Sequence, residues 1–213
     1  STGAGTVLTL TGAIGGAGNL GKADSGTLIL AGTGSFTGGT TVTQGTLLVN
    51  GNYAAATGLT DVGAAATLGG TGTIGGNVRV SGTLAPGAGG AGTLTIGGNL
   101  TLVSTATLAY DFGQANVAGG ALNDLVNVGG NLVLDGTVNV SVATGGSFGA
   151  GVYRLFNYGG TLTDNGLTLG NLPAGSNVAV QTSIAGQVNL INFAGLSLNF
   201  WDGVAGPKNN GAI

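Results

Sequence analysis

The sequence predicts an all-β chain wound as a β-solenoid, and three observations carry that expectation. Apolar residues come in short alternating runs rather than helical stripes, one turn sequence keeps returning, and charge is nearly missing. Of 213 residues, 48 are Gly; only four Lys or Arg and seven Asp are charged, and Glu, His, Cys and Met are absent. Low charge alone would suggest disorder, but the apolar fraction is 42%, enough to bury a core.

The strand candidates, in order, include Thr27-Leu28-Ile29-Leu30, Thr46-Leu47-Leu48-Val49, Asn77-Val78-Arg79-Val80, Thr93-Leu94-Thr95-Ile96 and Thr137-Val138-Asn139-Val140. Each is rich in Val, Leu, Ile or Thr and is closed by Gly, Asn or Asp. Glycine recurs too often for helix interiors.

A Gly-Gly-Asn-apolar-x-apolar unit occurs at Gly75–Val80, Gly97–Leu102 and Gly129–Leu134, the second interval being longer than the first. The extra length is assigned to a loop over Asp111–Ala121. A second marker, Gly-Thr-Leu or Gly-Thr-Val, begins at Gly26, Gly45, Gly82, Gly92, Gly136 and Gly160. A period of roughly 20 residues with tight corners suits one coil of a solenoid, whose exposed backbone and inward apolar row are satisfied only by the next coil. An antiparallel sandwich also uses short strands and frequent turns; the echo of one turn sequence from Gly75 to Gly97 favours the solenoid. Asn77 and Asn99 should then occupy equivalent corners, with Val78 over Leu100 and Val80 over Leu102. At roughly 20–24 residues per coil the chain would make about nine coils, a rod of about 45 Å. Stacking also accounts for the missing charge, since a charged position would repeat up the ladder whereas Thr and Asn ladders hydrogen-bond.

Composition excludes several functions. Four basic residues cannot neutralise the phosphates that nucleic-acid binding requires. Without His or Cys there is no ordinary zinc, haem, iron–sulfur or copper site, no His-based nucleophile system and no disulfide, so no cofactor is expected. No apolar run approaches the ~18 residues of a transmembrane helix, and Ser1–Gly5 lacks the features of a signal peptide.

Residues 22–50 hold a Gly-Thr-Leu strand (Gly26, Thr27, Leu28), an aromatic-Thr-Gly-Gly-Thr-Thr turn (Phe36, Thr37, Gly38, Gly39, Thr40, Thr41) and a second Gly-Thr-Leu strand (Gly45, Thr46, Leu47). This resembles the passenger-associated transport repeat of bacterial autotransporters. Leu68–Gly76, Leu84–Gly87, Tyr153–Leu162 and Leu172–Gly175 are similar to segments of the same family's passenger C-terminus. The resemblance implies a right-handed parallel β-helix, secreted to the surface of a Gram-negative bacterium through an outer-membrane β-barrel of the same polypeptide. Signal peptide and barrel are missing from this sequence, which suggests an excised piece.

The expected organisation is N-terminal coils over 1–123, aromatic-richer, autochaperone-like and cap-like coils over 124–200, and the start of a following segment over 201–213. Tyr153, Leu155, Phe156 and Tyr158 are the expected C-terminal core. The function expected is a structural stem that assists its own secretion and folding and presents adhesive or effector regions. The alternatives are an adhesin that binds host glycan or protein or self-associates, and the scaffold of a passenger whose catalytic domain lies elsewhere.

Other chemistry is weakly signalled. Asp111 and Asp135 are the best-spaced carboxylate pair, but most Asp here adjoin Gly or Asn, as turn residues do. Asp111 with Asp124 lacks the spacing of calcium loops. Gly34–Gly39 has neither the Lys nor the helix of a phosphate loop, and Thr-x-Thr pairs at 41–43, 93–95 and 161–163 are too irregular for an ice-binding face. The late aromatics read as core more readily than as a ligand groove.

Overall fold

A computed structural model describes residues 5–196. They form a parallel β-helix whose coils visit three faces in turn. The first face stacks β1 (Val7–Leu10), β3 (Thr27–Leu30), the second half of β4 (Thr40–Val49), the second half of β6 (Thr60–Gly70), β9 (Thr83–Pro86), β12 (Thr107–Phe112), β15 (Thr137–Val142) and β18 (Thr168–Leu169). The second face stacks β5 (Asn52–Tyr53), β7 (Thr73–Ile74), β10 (Thr93–Ile96), β13 (Leu125–Val128) and β16 (Gly151–Tyr158). The third stacks β2 (Leu20–Lys22), the first halves of β4 and β6, β8 (Val78–Val80), β11 (Leu100–Leu102), β14 (Leu132–Leu134) and β17 (Leu162–Asp164). Because β4 and β6 run unbroken round the corner between the third and first faces, those two faces share one sheet.

Alternation fixes which side chains face inward. On the first face Leu28, Leu47, Leu68, Leu84, Leu108 and Val138 stack in register, all buried. On the third, Val78 pairs Leu100 and Val80 pairs Leu102, the registration that the recurring Gly-Gly-Asn unit predicts. An adjoining inward column runs Lys22, Val42, Val62, Val80 and Leu102, so a charged residue opens an otherwise apolar row. Lys22 is buried and donates from Nζ to the carbonyls of Asp24 and Gln44.

Among the described residues the first face holds eight strands, beside the expectation of about nine coils for the chain. Early coils are short, with Thr27 paired to Thr46 and Thr46 to Thr67, but Leu100 pairs Leu132 and Leu132 pairs Leu162, which are longer steps. The extra residues leave at the corner between the first and second faces, at 113–124 and again at 143–150, where they widen the coil instead of adding one. The first of these loops begins after Asp111 and Phe112, which remain in β12 opposite Ser141 and Val142.

The parallel stacking ends on the second face, where β20 (Gln187–Asn192) pairs antiparallel with β16, and β19 (Val178–Gln181) pairs antiparallel with β20. This hairpin covers the edge of β16. The segment expected at 201–213, with Phe200 and Trp201, lies outside the described residues.

Candidate functional site

The repeat motif of residues 22–50 forms one complete coil. Thr27 and Leu28 open β3 and pair with Thr46 and Leu47 of β4, so the two Gly-Thr-Leu strands lie one above the other. Between them the chain turns inward at Phe36, which is buried edge-to-face against Tyr53 at 6.3 Å. Thr40 is buried on the third face, and Thr41 points outward from the same strand. A Cβ at Gly38 would collide with the Gly18 carbonyl of the coil below. Gly45 bends β4 around the corner with φ of 72°, a conformation L-residues avoid. Gly39 donates its N–H to Asn19 Oδ1 at 2.8 Å, and Thr37 donates its backbone N–H to the Gly16 carbonyl.

The Gly-Gly-Asn units have a physical cause. Asn77 Oδ1 accepts the backbone N–H of Asn99 at 2.8 Å, Asn99 Oδ1 that of Asn131 at 2.7 Å, and Asn131 Oδ1 that of Thr161 at 2.9 Å. Each asparagine thus satisfies the corner above it, side chain to backbone. A Cβ at Gly98, Gly130 or Gly160 would run into the asparagine oxygen beneath, so those positions must be bare.

A threonine column, of the kind that stacking like upon like predicts, runs up the first face. Thr27, Thr46, Thr67, Thr83, Thr107, Thr137 and Thr168 stand in one outward column on the first face. The Gly-Thr markers at Gly26, Gly45, Gly82 and Gly136 belong to it, but that at Gly92 opens β10 on the second face and that at Gly160 leads into β17 on the third. The marker alone does not say which face follows.

The acidic candidates have structural surroundings. Asp124 is 1% exposed and its carboxylate accepts the N–H groups of Gly92 and Asp111, both at 2.7 Å. Burial raises its pKa to about 7 against the opposing pull of those two bonds, and the Asp111 charge raises it further. Its neighbour Asn123, also 1% exposed, closes the 113–122 loop by accepting from Gly113 and Gln114 and donating to the Gln114 and Val117 carbonyls. Asp135 Oδ1 accepts the N–H of Gly136, and Asp164 Oδ1 that of Gly166, both turn contacts. Asp111 and Asp124 border an open cleft of about 350 Å³ on the first face. Among the described residues no three metal-ligating side chains gather.

At the C-terminal end, Tyr153, Leu155 and Phe156 are fully buried, whereas Tyr158 is only half-buried. Leu155 and Phe156 both face inward because the pairing of β16 with β20 slips between Arg154 and Phe156, a bulge that alternation does not foretell. Tyr110 and Phe112, both on β12 of an earlier coil, complete the cluster: Phe112 lies 5.2 Å from Tyr153, and Tyr110 lies 6.0 Å from Phe156. The Tyr110 hydroxyl donates to the Leu155 carbonyl at 3.0 Å. Phe193, by contrast, is 40% exposed and lies outside that core.

The fold and its corner ladders define a parallel β-helix rod built on a passenger-type repeat. Residues 20–49 match the family model described as the passenger-associated-transport-repeat. The chain is 58% identical over 136 residues, 64% of its length, to the adhesin BmaC autotransporter of Brucella suis biovar 1 (strain 1330). It spans 4% of that relative's length. Both comparisons support an autotransporter passenger domain.

Proposed function

We propose that this segment is a structural β-helical stem of a secreted passenger at the outer surface of a Gram-negative bacterium, carried there by a β-barrel translocator of the same polypeptide. The observation that carries the reading is the unbroken parallel registration of the first face from β1 to β18, with the transport-repeat coil inside it. Such a rod transmits position, since every coil is held by its neighbours. The organisation into N-terminal coils over 1–123, aromatic-richer, autochaperone-like coils over 124–200 and the start of a following segment over 201–213 belongs to the same proposal, as does the absence of catalysis. Asp111→Ala and Asp135→Ala should abolish no turnover on polysaccharides or esters, because none is expected of the wild type. The relative's being an adhesin favours a second reading, direct adhesion by the rod's own faces.

The test is an epitope inserted at the exposed Gly89–Gly90 turn of the full reading frame. Antibody should label intact cells, and deleting residues 20–192 should bring the flanking regions closer to the membrane. Labelling only after lysis would refute the surface stem.

A further inference from the structure

A chain of side-chain hydrogen bonds crosses four strands of the second face. Arg154 on β16 donates from Nε to Asn189 Oδ1 at 2.6 Å and from Nη1 to Asn157 Oδ1. Asn189 donates from Nδ2 to Gln181 Oε1 on β19 at 3.0 Å, and Asn157 from Nδ2 to Asn127 Oδ1 on β13 at 2.9 Å. A guanidinium has donors only, so it dictates which end of each adjoining amide is oxygen, and that polarity passes outward on both sides. Each amide oxygen in the chain already accepts one bond, while Asn127 Nδ2, Gln181 Nε2 and Arg154 Nη2 remain as donors.

Arg154 also stands apart among the described cations. Lys22 is buried against carbonyls, and Arg79 pairs with Asp61 at 3.3 Å. Among the described residues Arg154 has no carboxylate partner, and partial burial lowers its pKa, the mark of an incompletely solvated charge. It borders an open cleft of about 250 Å³ walled by Asn116, Val117, Ala118 and Val152. That wall is held in place: Asn116, with φ of 63°, donates its N–H to the Val152 carbonyl at 2.8 Å and accepts the Val152 N–H at 3.0 Å.

We propose that this strip binds a carboxylated glycan, with a sugar carboxylate in the cleft against Arg154 and further ligand oxygens accepting from Asn127 and Gln181. A surface with several free amide donors and one positive charge suits a ligand rich in acceptors with sparse negative charge. Nucleic acid would require several cations. An acidic peptide would also bring backbone N–H groups, which the side-chain donors of the strip cannot satisfy. The inference goes beyond the stem role and stands on the strip alone, so it holds or fails whether or not the segment is secreted.

The test is calorimetric titration of the full chain with oligogalacturonate, its carboxyl-reduced counterpart and a sulfated neutral oligosaccharide. Binding to oligogalacturonate should saturate, weaken with added salt and fall about tenfold or more on carboxyl reduction. Arg154→Gln should cost about tenfold. Asn127→Asp still accepts from Asn157 but replaces free donors with a negative acceptor, so it should abolish binding while leaving the thermal midpoint in place. Arg79→Gln should bind as wild type. Where Arg154→Gln also lowers the midpoint, Asn127→Asp decides. Undiminished binding by Asn127→Asp, equal binding of the reduced sugar, tighter binding of the sulfated sugar or no saturable binding at all would each overturn the proposal.

Discussion

The N-terminal and C-terminal coils share one topology but fill their interiors differently. Before residue 75 the coils are short, and the interior is mostly Leu, Val and Ala with one aromatic pair, Phe36 and Tyr53. The Tyr53 hydroxyl there is buried with no partner among the described residues, and a void of about 20 Å³ lies alongside. After residue 105 the coils are longer and enclose Tyr110, Phe112, Phe148, Tyr153 and Phe156, with Phe148 and Tyr153 rings 4.4 Å apart. The tyrosine hydroxyls of this cluster reach carbonyls, Tyr110 to Leu155 and Tyr153 to Gly149. Extra chain in a coil therefore becomes girth, and girth admits aromatic rings together with partners for their polar ends. The inserted loops also stack on one another, since Ser147 of the second donates its N–H to the Gly113 carbonyl of the first. The ends differ too: Val7 and Leu8 of β1 are 63% and 43% exposed, while the last second-face strand of the stack is covered by the β19–β20 hairpin.

The sharpest way to break this comparison is to remove a ring from the wide coils. Phe156→Ala should cost about 3–5 kcal/mol in denaturant unfolding, because a fully buried side chain leaves a cavity between packed coils. Hydrogen exchange should show 124–192 better protected than 5–75, as better-packed coils open last. Stronger protection of the N-terminal coils would sink the idea.

Asp124 tests whether the wide corner carries an electrostatic cost. Its folded pKa of about 7 lies above the unfolded 3.8, so the native state holds a proton that the unfolded chain has lost. Stability should be greatest below about pH 4, decline as pH rises and level off above about 7. Asp124→Asn should flatten that dependence, and at low pH should cost about 1–3 kcal/mol because its amide nitrogen faces one of the two backbone donors. A wild-type profile that rises between pH 4 and 7 would refute the assignment.

Tyr53→Phe probes the narrow coils. Removing a buried hydroxyl with no partner should leave stability unchanged or raise it by about 1 kcal/mol. A clear loss in thermal unfolding would mean that the hydroxyl is bonded after all. At the corner ladder, Asn99→Ala strands the Asn131 N–H and should cost about 0.5–1.5 kcal/mol. An equal effect from the outward Thr101→Ala would deny the ladder its special role.

The sequence by itself determined the coil. Alternating runs, a recurring Gly-Gly-Asn corner and the near-absence of charge follow from local geometry and from stacking like upon like, so they are written into every repeat. Asn77 over Asn99 and Val78 over Leu100 could be read directly for that reason. What only the tertiary structure decided is whatever depends on loop length between coils: the eight strands of the first face among the described residues, which face each Gly-Thr marker joins, the union of Tyr110 with Phe156, and the Arg154 strip. Asp124 meets Gly92 from the coil below, and Arg154 meets Asn189 through an antiparallel return. No periodicity records such meetings, because an inserted loop shifts the spacing of everything after it while the backbone ladder, which needs only the next strand, closes all the same.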